Sequence, residues 1–332
     1  MRSDDQHHVN GAHPTGQPIP HPFTAQSKLP LTSTDGHLGS LNDGAHTGTT
    51  HRAPRRKQRV KPRDIHELAG WLSERDIAVL QSVAEHQFLT VSQVEALHFG
   101  AHAPVSGPRI ARRTMARLRH YRLLGTLQRR IGGVKAGSAG LIHYVDTVGD
   151  QLLRGRSGRD GRRRSREPSS RFLSHRLAIA DTHVALVRAD RHGQVELTEC
   201  ALEPASWRRF TGLGAARLIL KPDLYVETAV SAGSDLVHAW FVEVDLGTEG
   251  IQTLLKKCRE YESYRRSGTE QDEHGSFPLV VWSITHQDPV KAERRREALR
   301  QAISADRTLL AELFRIVAPQ QLIGALQHRG QQ

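Results

Sequence analysis

The sequence predicts an α/β chain, α+β in overall arrangement: an N-terminal winged helix-turn-helix followed by a mixed sheet flanked by helices. Three observations predict it. Short helical repeats and a glycine-rich pair of strand-like runs occupy residues 66–153. Short apolar runs bounded by turn residues alternate with helical stripes over residues 169–320. A basic, Gly- and Ser-rich linker, residues 154–168, separates the two. A chain of 332 residues accommodates two such domains with tails at 1–65 and 321–332.

Residues 1–50 are rich in Gly, Pro, His, Thr and Ser and show no periodicity, a composition that cannot bury enough apolar surface to offset its ordering entropy; a disordered tail is expected. Between Arg52 and Arg63 the sequence RAPRRKQRVKPR carries no acid. Such an arm can neutralise phosphates without reading sequence, or serve simply as a solubilising linker.

Globular composition begins at about His66. Ser73 with Asp76, and Thr90 with Gln93, have the spacing of capping boxes and open two helices, the first burying Ile77, Leu80 and Val83, the second Val94 and Leu97. In SGPRIARRTMARLRHYRLLG, Pro108 suits the first turn of a third helix and Gly125 its stop. Ile110, Thr114, Leu118 and Tyr121 form one arc of this helix, and Arg109, Arg112, Arg113, Arg117 and His120 form the opposite one. That division suits a recognition helix, with an apolar side on the core and a basic side for the DNA major groove. Strand-like runs from Thr126 to Ile131 and from Leu141 to Asp146 flank GGVKAGSAG, whose glycines and Lys135 fit a flexible wing. The linker adds Arg162, Arg163 and Arg164, placed to track a phosphate backbone.

The second domain opens with a helix from Arg171 to Asp190, striped by Leu173, Leu177, Ala180, Val184 and Val187. It carries His175, for which the sequence offers no partner. A strand is expected from Val195 to Leu202. The cluster Trp207, Arg208, Arg209, Phe210 reads either as a nucleic-acid contact or as a hydrophobic plug with solvated arginines. Apolar runs at 218–220, 224–226, 239–244 and 278–284 read as strands, and 288–303 as a charged helix.

The chemistry concentrates in residues 218–265. A hairpin brings Asp223, in a Pro-Asp turn, beside Glu243, and Glu243 and Asp245 point to one face because strand side chains alternate. Three converging carboxylates repel unless solvated, protonated or neutralised, and a hard divalent ion such as Mg²⁺ or Mn²⁺ binds such oxygen clusters. Behind Thr248, a candidate N-cap, a helix buries Ile251, Leu254, Leu255, Cys258 and Tyr261. Lys257 borders that apolar face and is better placed than Lys256 to reach the sheet; otherwise both are solvated charges. Tyr261 and Tyr264 read as packing residues.

The order helix, strand, Pro-Asp, strand, acidic strand end, helix resembles the PD-(D/E)-x-K nuclease superfamily. In its fuller form, PDLYVE followed by FVEVDLGTE and a helix with LLKK, it is similar to the replication-relaxation family of plasmids and integrative elements. The resemblance implies a restriction-endonuclease-like sheet carried behind a winged helix. It also implies Asp223, Glu243 and Asp245 as catalytic and metal-binding residues. Asp245 stands where the superfamily places its lysine, a group that stabilises charge developing on phosphate, so Lys257 becomes the candidate replacement. The function implied is that of a DNA-binding protein of a mobile genetic element, acting in plasmid-type replication or DNA processing, with replication or transfer proteins as partners. The readings left open beside it are a non-catalytic winged-helix regulator of transcription or partition, and a metal-dependent DNA nuclease.

The composition is consistent with a polyanionic partner: 47 lysines and arginines stand against 35 acids, a formal charge of +12. No apolar stretch is long enough to span a membrane and no secretory signal opens the chain, so a cytoplasmic protein is expected. Cys200 and Cys258 alone support neither a disulfide framework nor a cysteine zinc site. Without a glycine-rich phosphate loop, a G-x-S-x-G motif or a histidine cluster, NTPase, serine hydrolase and His-type relaxase chemistry lack support.

Overall fold

A computed structural model of the protein describes residues 62–130, 140–157 and 168–327. The expected N-terminal tail and most of its basic arm, Lys135, and the linker arginines Arg162, Arg163 and Arg164 lie outside the described residues.

Helix α1 (Pro62–Trp71) precedes α2 (Glu74–His86), β1 (Leu89–Thr90) and α3 (Val91–His98). Both capping boxes form. Asp76 N–H donates to Ser73 Oγ at 3.2 Å and Ser73 N–H returns to Asp76 Oδ2 at 3.1 Å; Thr90 and Gln93 exchange the same pair of bonds at 3.2 and 2.9 Å. Each box satisfies helix N–H groups that would otherwise lack partners. Helix α4 (Ser106–His120) holds Pro108 in its first turn, but it ends before Gly125. That glycine lies instead in β2 (Leu124–Arg130), opposite Tyr144 of β3 (Leu141–Val145), where a Cβ would overlap the tyrosine ring. The helix stops where Arg122 takes φ 59°. The antiparallel sheet has the order β1-β3-β2.

Helix α5 (Thr147–Ser157) follows the strand expected to end at Asp146 and runs into residues expected to begin the linker. Val148 and Leu152 are buried with Leu68 of α1, Leu80 and Val83 of α2, Leu97 of α3, and Met115 and Leu118 of α4. Its register is fixed by a close approach, because a Cβ on Gly149 would run into the Leu123 carbonyl.

Helix α6 (Ser170–Arg191) belongs to two cores at once. Ala180 and Val184, from the expected stripe, join the core of α1–α5, whereas Ile179 and Leu186 face the large sheet. Polar contacts reinforce the first junction: Gln93 Nε2 donates to Leu177 O at 3.0 Å and to Asp181 Oδ1 at 2.7 Å, and His86 Nε2 lies 3.0 Å from His183 Nδ1.

The remaining strands are β4 (Leu197–Leu202), β5 (Arg208–Thr211), β6 (Arg217–Leu220), β7 (Leu224–Ala229) and β8 (Val237–Asp245). Helices α7 (Ile251–Ser267) and α8 (Thr269–His274) follow. Then come β9 (Leu279–Ile284), α9 (Pro289–Ala305), β10 (Phe314–Val317) and α10 (Leu322–Gln327). The mixed five-stranded sheet has the order β10-β9-β8-β7-β4; β8, β9 and β10 run parallel, while β7 opposes β8 and β4 opposes β7. The 218–220 run, expected to join this sheet, pairs only with β5 in a separate two-stranded hairpin. Helix α7 is preceded by Gly250 rather than capped by Thr248, because the chain leaving β8 needs five residues of loop before it turns helical. Asp288 caps α9, accepting from Val290 N–H at 2.9 Å.

Along β8, Trp240, Val242 and Val244 face α6, while Phe241 faces α7 and α9, the side that Glu243 and Asp245 share. The sheet is thus covered on both faces, and its acidic side chains lie beneath helices. Replacing Gly149 by alanine should cost about 1–3 kcal/mol through the clash with the Leu123 carbonyl. Urea unfolding of the variant measures this, and wild-type stability would show that α5 docks otherwise.

Candidate functional site

The antiparallel register Leu224↔Val242 brings Asp223 beside Glu243, at the end where β8 leaves the sheet. Asp223, Glu243 and Asp245 all line one cleft of about 490 Å³, with His175 and Lys257 on its walls and Arg171 near the mouth. All three carboxylates are buried. Burying such charges without partners would cost several kcal/mol each, so their partners decide what the site is.

Asp223 Oδ2 accepts from the Val244 N–H at 2.8 Å, and Oδ1 lies 3.2 Å from His175 Nε2. Burial alone would push this carboxyl up, but the His175 contact, the Lys257 charge and the Val244 N–H hold it below its ordinary value. The effect on His175 is reciprocal. Burial opposes its charge, yet the Asp223 and Glu243 carboxylates raise its pKa.

Glu243 is 1% exposed. Its Oε2 lies 2.5 Å from Lys257 Nζ and its Oε1 accepts from the Tyr261 hydroxyl. Burial pushes Glu243 up to about 8, against the pull of Lys257 and with a further push from Asp223. Lys257 is raised too: burial disfavours its charge, but Glu243 and Asp223 outweigh that, and the ammonium is retained. Burial thus sets Glu243 above the ordinary carboxylate value while its partners set Asp223 below it.

Asp245 is differently committed. Arg295 of α9 forks onto it, Nε donating to Oδ2 and the second nitrogen to Oδ1 at 3.0 Å, so a single guanidinium spans the whole carboxylate. Of the expected acidic set, Asp223 and Glu243 come together with Lys257, while Asp245 is neutralised by an arginine from another helix. Among the described residues, no group of three or more His, Cys, Asp or Glu side chains is arranged to hold a metal ion. Lys256 points away, exposed and 4.0 Å from Glu260.

His175 lines the cleft, and Tyr261 and Arg295 hold its carboxylates; sequence reasoning placed none of the three in the site. His175 and Arg295 lie 48 and 50 residues from the carboxylates they meet, and only the tertiary fold supplies those contacts. Tyr261 was legible as a core residue of α7, which it is, but its hydroxyl also orients Glu243.

On α4, Ala111, Thr114, Met115 and Leu118 are buried, and Arg109, Arg112, Arg113, Arg117 and His120 are exposed. Arg117 is not free, however: its guanidinium lies 2.5 Å from Asp76 of α2. The helical wheel placed no acid on this arc because the acid comes from a neighbouring helix.

With this geometry in place, the comparison with known families is informative. The replication-relaxation family model matches residues 80–280, from within α2 to the start of β9, a span that includes Asp223, Glu243, Asp245 and Lys257. The chain belongs to the replication-relaxation family, which links it to replication. No curated protein and no solved structure matches it. Among the described residues, no helix is long and apolar enough to cross a membrane.

The Glu243 shift predicts a pH dependence. A carboxyl whose folded pKa is raised stabilises the fold fully below its unfolded value, near 4.5, and loses that contribution as pH rises through about 8. Wild-type stability should therefore fall with rising pH across this window, relative to Glu243→Gln, with a slope of up to about 1.4 kcal/mol per pH unit. Urea unfolding of both proteins across the window tests it, and parallel profiles would show that Glu243 is ionised throughout.

Proposed function

We propose that this protein is a DNA-binding protein of a mobile genetic element that acts in plasmid-type replication or DNA processing. In this reading α2–α4 with the β1-β3-β2 sheet is a winged helix, and the five-stranded sheet with its helices is a nuclease-like domain whose acidic cleft engages phosphodiester. The observation that carries the reading is Lys257, 2.5 Å from Glu243 on the strand paired beside Asp223. It returns a lysine to an acid–acid–lysine set whose usual lysine position is held by Asp245.

The donor chemistry suits a hard divalent cation. Mg²⁺ is commonly held by one or two carboxylates together with substrate phosphates and waters, so a third protein carboxylate is not required. Asp223 and Glu243 would hold Mg²⁺ or Mn²⁺. When bound, the ion would polarise a phosphoryl oxygen and favour a water-derived nucleophile. Lys257, kept charged by its carboxylate neighbours, would offset negative charge developing on the phosphate. His175, beside Asp223 and partly exposed, is placed to contact that phosphate or to move a proton. Arg295 neutralises Asp245 and keeps that carboxylate from repelling the substrate.

On the DNA side, Arg109, Arg112 and Arg113 form the exposed face of the proposed recognition helix, and the basic arm, Lys135 and Arg162–Arg164 would add backbone contacts. Replication or transfer proteins of the same element would be its protein partners, and a cytoplasmic site fits these assignments. A second reading, a scaffold that binds DNA without cutting it, draws on the engagement of Asp245 by Arg295 at the lysine position.

One set of assays tests the proposal. With Mg²⁺ or Mn²⁺ the wild type should bind and nick supercoiled plasmid. Lys257→Ala should lower the nicking rate by about 10²–10³ with duplex affinity retained. Alanine at Arg109, Arg112 and Arg113 should instead reduce the salt slope of binding by about 1 per arginine. Binding without nicking in either metal favours the scaffold, and no binding overturns the proposal.

A further inference from the structure

The β5–β6 hairpin packs on the domain through one face and presents exposed cations on the other. Its register, Arg208↔Leu220, Arg209↔Ile219, Phe210↔Leu218 and Thr211↔Arg217, sorts its side chains onto two faces. Arg208, Phe210 and Leu220 lie on the inner face. Phe210 packs on the Tyr264 ring with centroids 5.0 Å apart. The Arg208 guanidinium stands 4.3 Å over the Tyr225 ring and donates to Glu270 Oε2 at 3.1 Å. At the hairpin's base, Ser206 Oγ donates to Pro222 O at 2.7 Å, which ties the hairpin to the residue preceding Asp223.

The outer face carries Arg209, Thr211, Arg217 and Ile219, all exposed, Ile219 to 44%. Arg209 and Arg217 are diagonal neighbours in this register, about 7–8 Å apart along the backbone. Lys221, at the base, stands 4.7 Å over the Trp207 ring. From Pro204 to Pro222 there is no acidic residue.

Some arginines of this domain are held by carboxylates and others, Arg294 and Arg307 among them, are exposed without one among the described residues. Arg171, Arg176, Arg208, Arg259, Arg265 and Arg295 each pair with a carboxylate. Arg209, Arg217 and Lys221 have no carboxylate partner among the described residues. Charge alone would protect an exposed hairpin from edge pairing, and it does not account for Ile219, left 44% exposed beside Arg209 and Arg217 on the outer face. Cations flanking an accessible aliphatic side chain on a fixed hairpin match a nucleic-acid strand, with phosphates for the arginines and a base or sugar face for the isoleucine.

We infer that the outer face of the β5–β6 hairpin is a second DNA contact, gripping the backbone of the strand that is led to the Asp223 cleft. The inference rests on the DNA-binding reading and adds to it a surface distinct from α4.

The test uses the full chain and a fluorescent duplex with a single-stranded overhang, with affinity measured over a range of salt. Arg209→Gln/Arg217→Gln should weaken binding and lower the salt slope by about 2, one counterion per lost phosphate contact. Arg209→Lys/Arg217→Lys should restore most of that slope, because a phosphate needs charge rather than a planar fork. Thermal unfolding of both variants should match wild type, since these side chains are exposed. A glutamine variant that is folded and keeps the wild-type slope overturns the hairpin contact while leaving α4 binding intact. A wild type that does not bind the probe overturns the DNA-binding reading, and the hairpin contact falls with it.

Discussion

The structure depends on helix α6 being buried from two sides. Ala180 and Val184 complete the core of α1–α5, Ile179 and Leu186 cover the large sheet, and Leu173 and Leu177 pack on Ile142. Arg176, only 1% exposed, links the two sides: it pairs with Glu203 at 2.5 Å and its Nε donates to the His86 carbonyl at 3.4 Å. A helix fixed this way sets the position of His175, and so sets one wall of the acidic cleft. It also joins the proposed DNA-reading helices to the sheet through packed side chains. A DNA segment held by α4 would therefore meet the cleft from a defined direction.

The cleft follows from placing carboxylates in a dry setting and giving each a different partner. Glu243 receives Lys257 and Tyr261, Asp223 receives His175 and a backbone N–H, and Asp245 receives the Arg295 fork. Paired buried charges of this kind add little net stability compared with apolar packing, while removing one partner is costly. The raised pKa of Glu243 and the lowered pKa of Asp223 also set the two acids apart, the pattern by which neighbouring carboxyls take different roles.

Where local rules governed, the sequence was informative. The Ser73–Asp76 and Thr90–Gln93 boxes form as their spacing indicates, strand alternation places Glu243 and Asp245 on one face, and the wheel position of Lys257 carries it to the sheet. Where partners are distant, it was not. His175 and Arg295 reach their carboxylates only through the packing of α6 and α9. The free guanidinium expected at Arg117 is taken by Asp76 from another helix. The apolar run at 218–220 looked like a buried strand because hydrophobicity does not reveal which strand will pair with it; joined to β5 alone, it leaves two of its three side chains accessible. The double burial of α6 was hidden for a related reason, since apolar residues on two sides blur the single stripe by which a surface helix is recognised.

In the proposed function, Asp223 and Glu243 form a cation-dependent phosphodiester site supported by Lys257. Thermal unfolding of wild type and Asp223→Asn, with and without Mg²⁺ or Mn²⁺ and with no DNA present, tests it most directly. An ion that binds only the folded cleft should raise the wild-type transition by linkage, about 2.7 kcal/mol at a hundredfold excess over its dissociation constant, and leave Asp223→Asn unmoved. A wild type indifferent to both ions, or a variant stabilised as strongly as wild type, would contradict the claim.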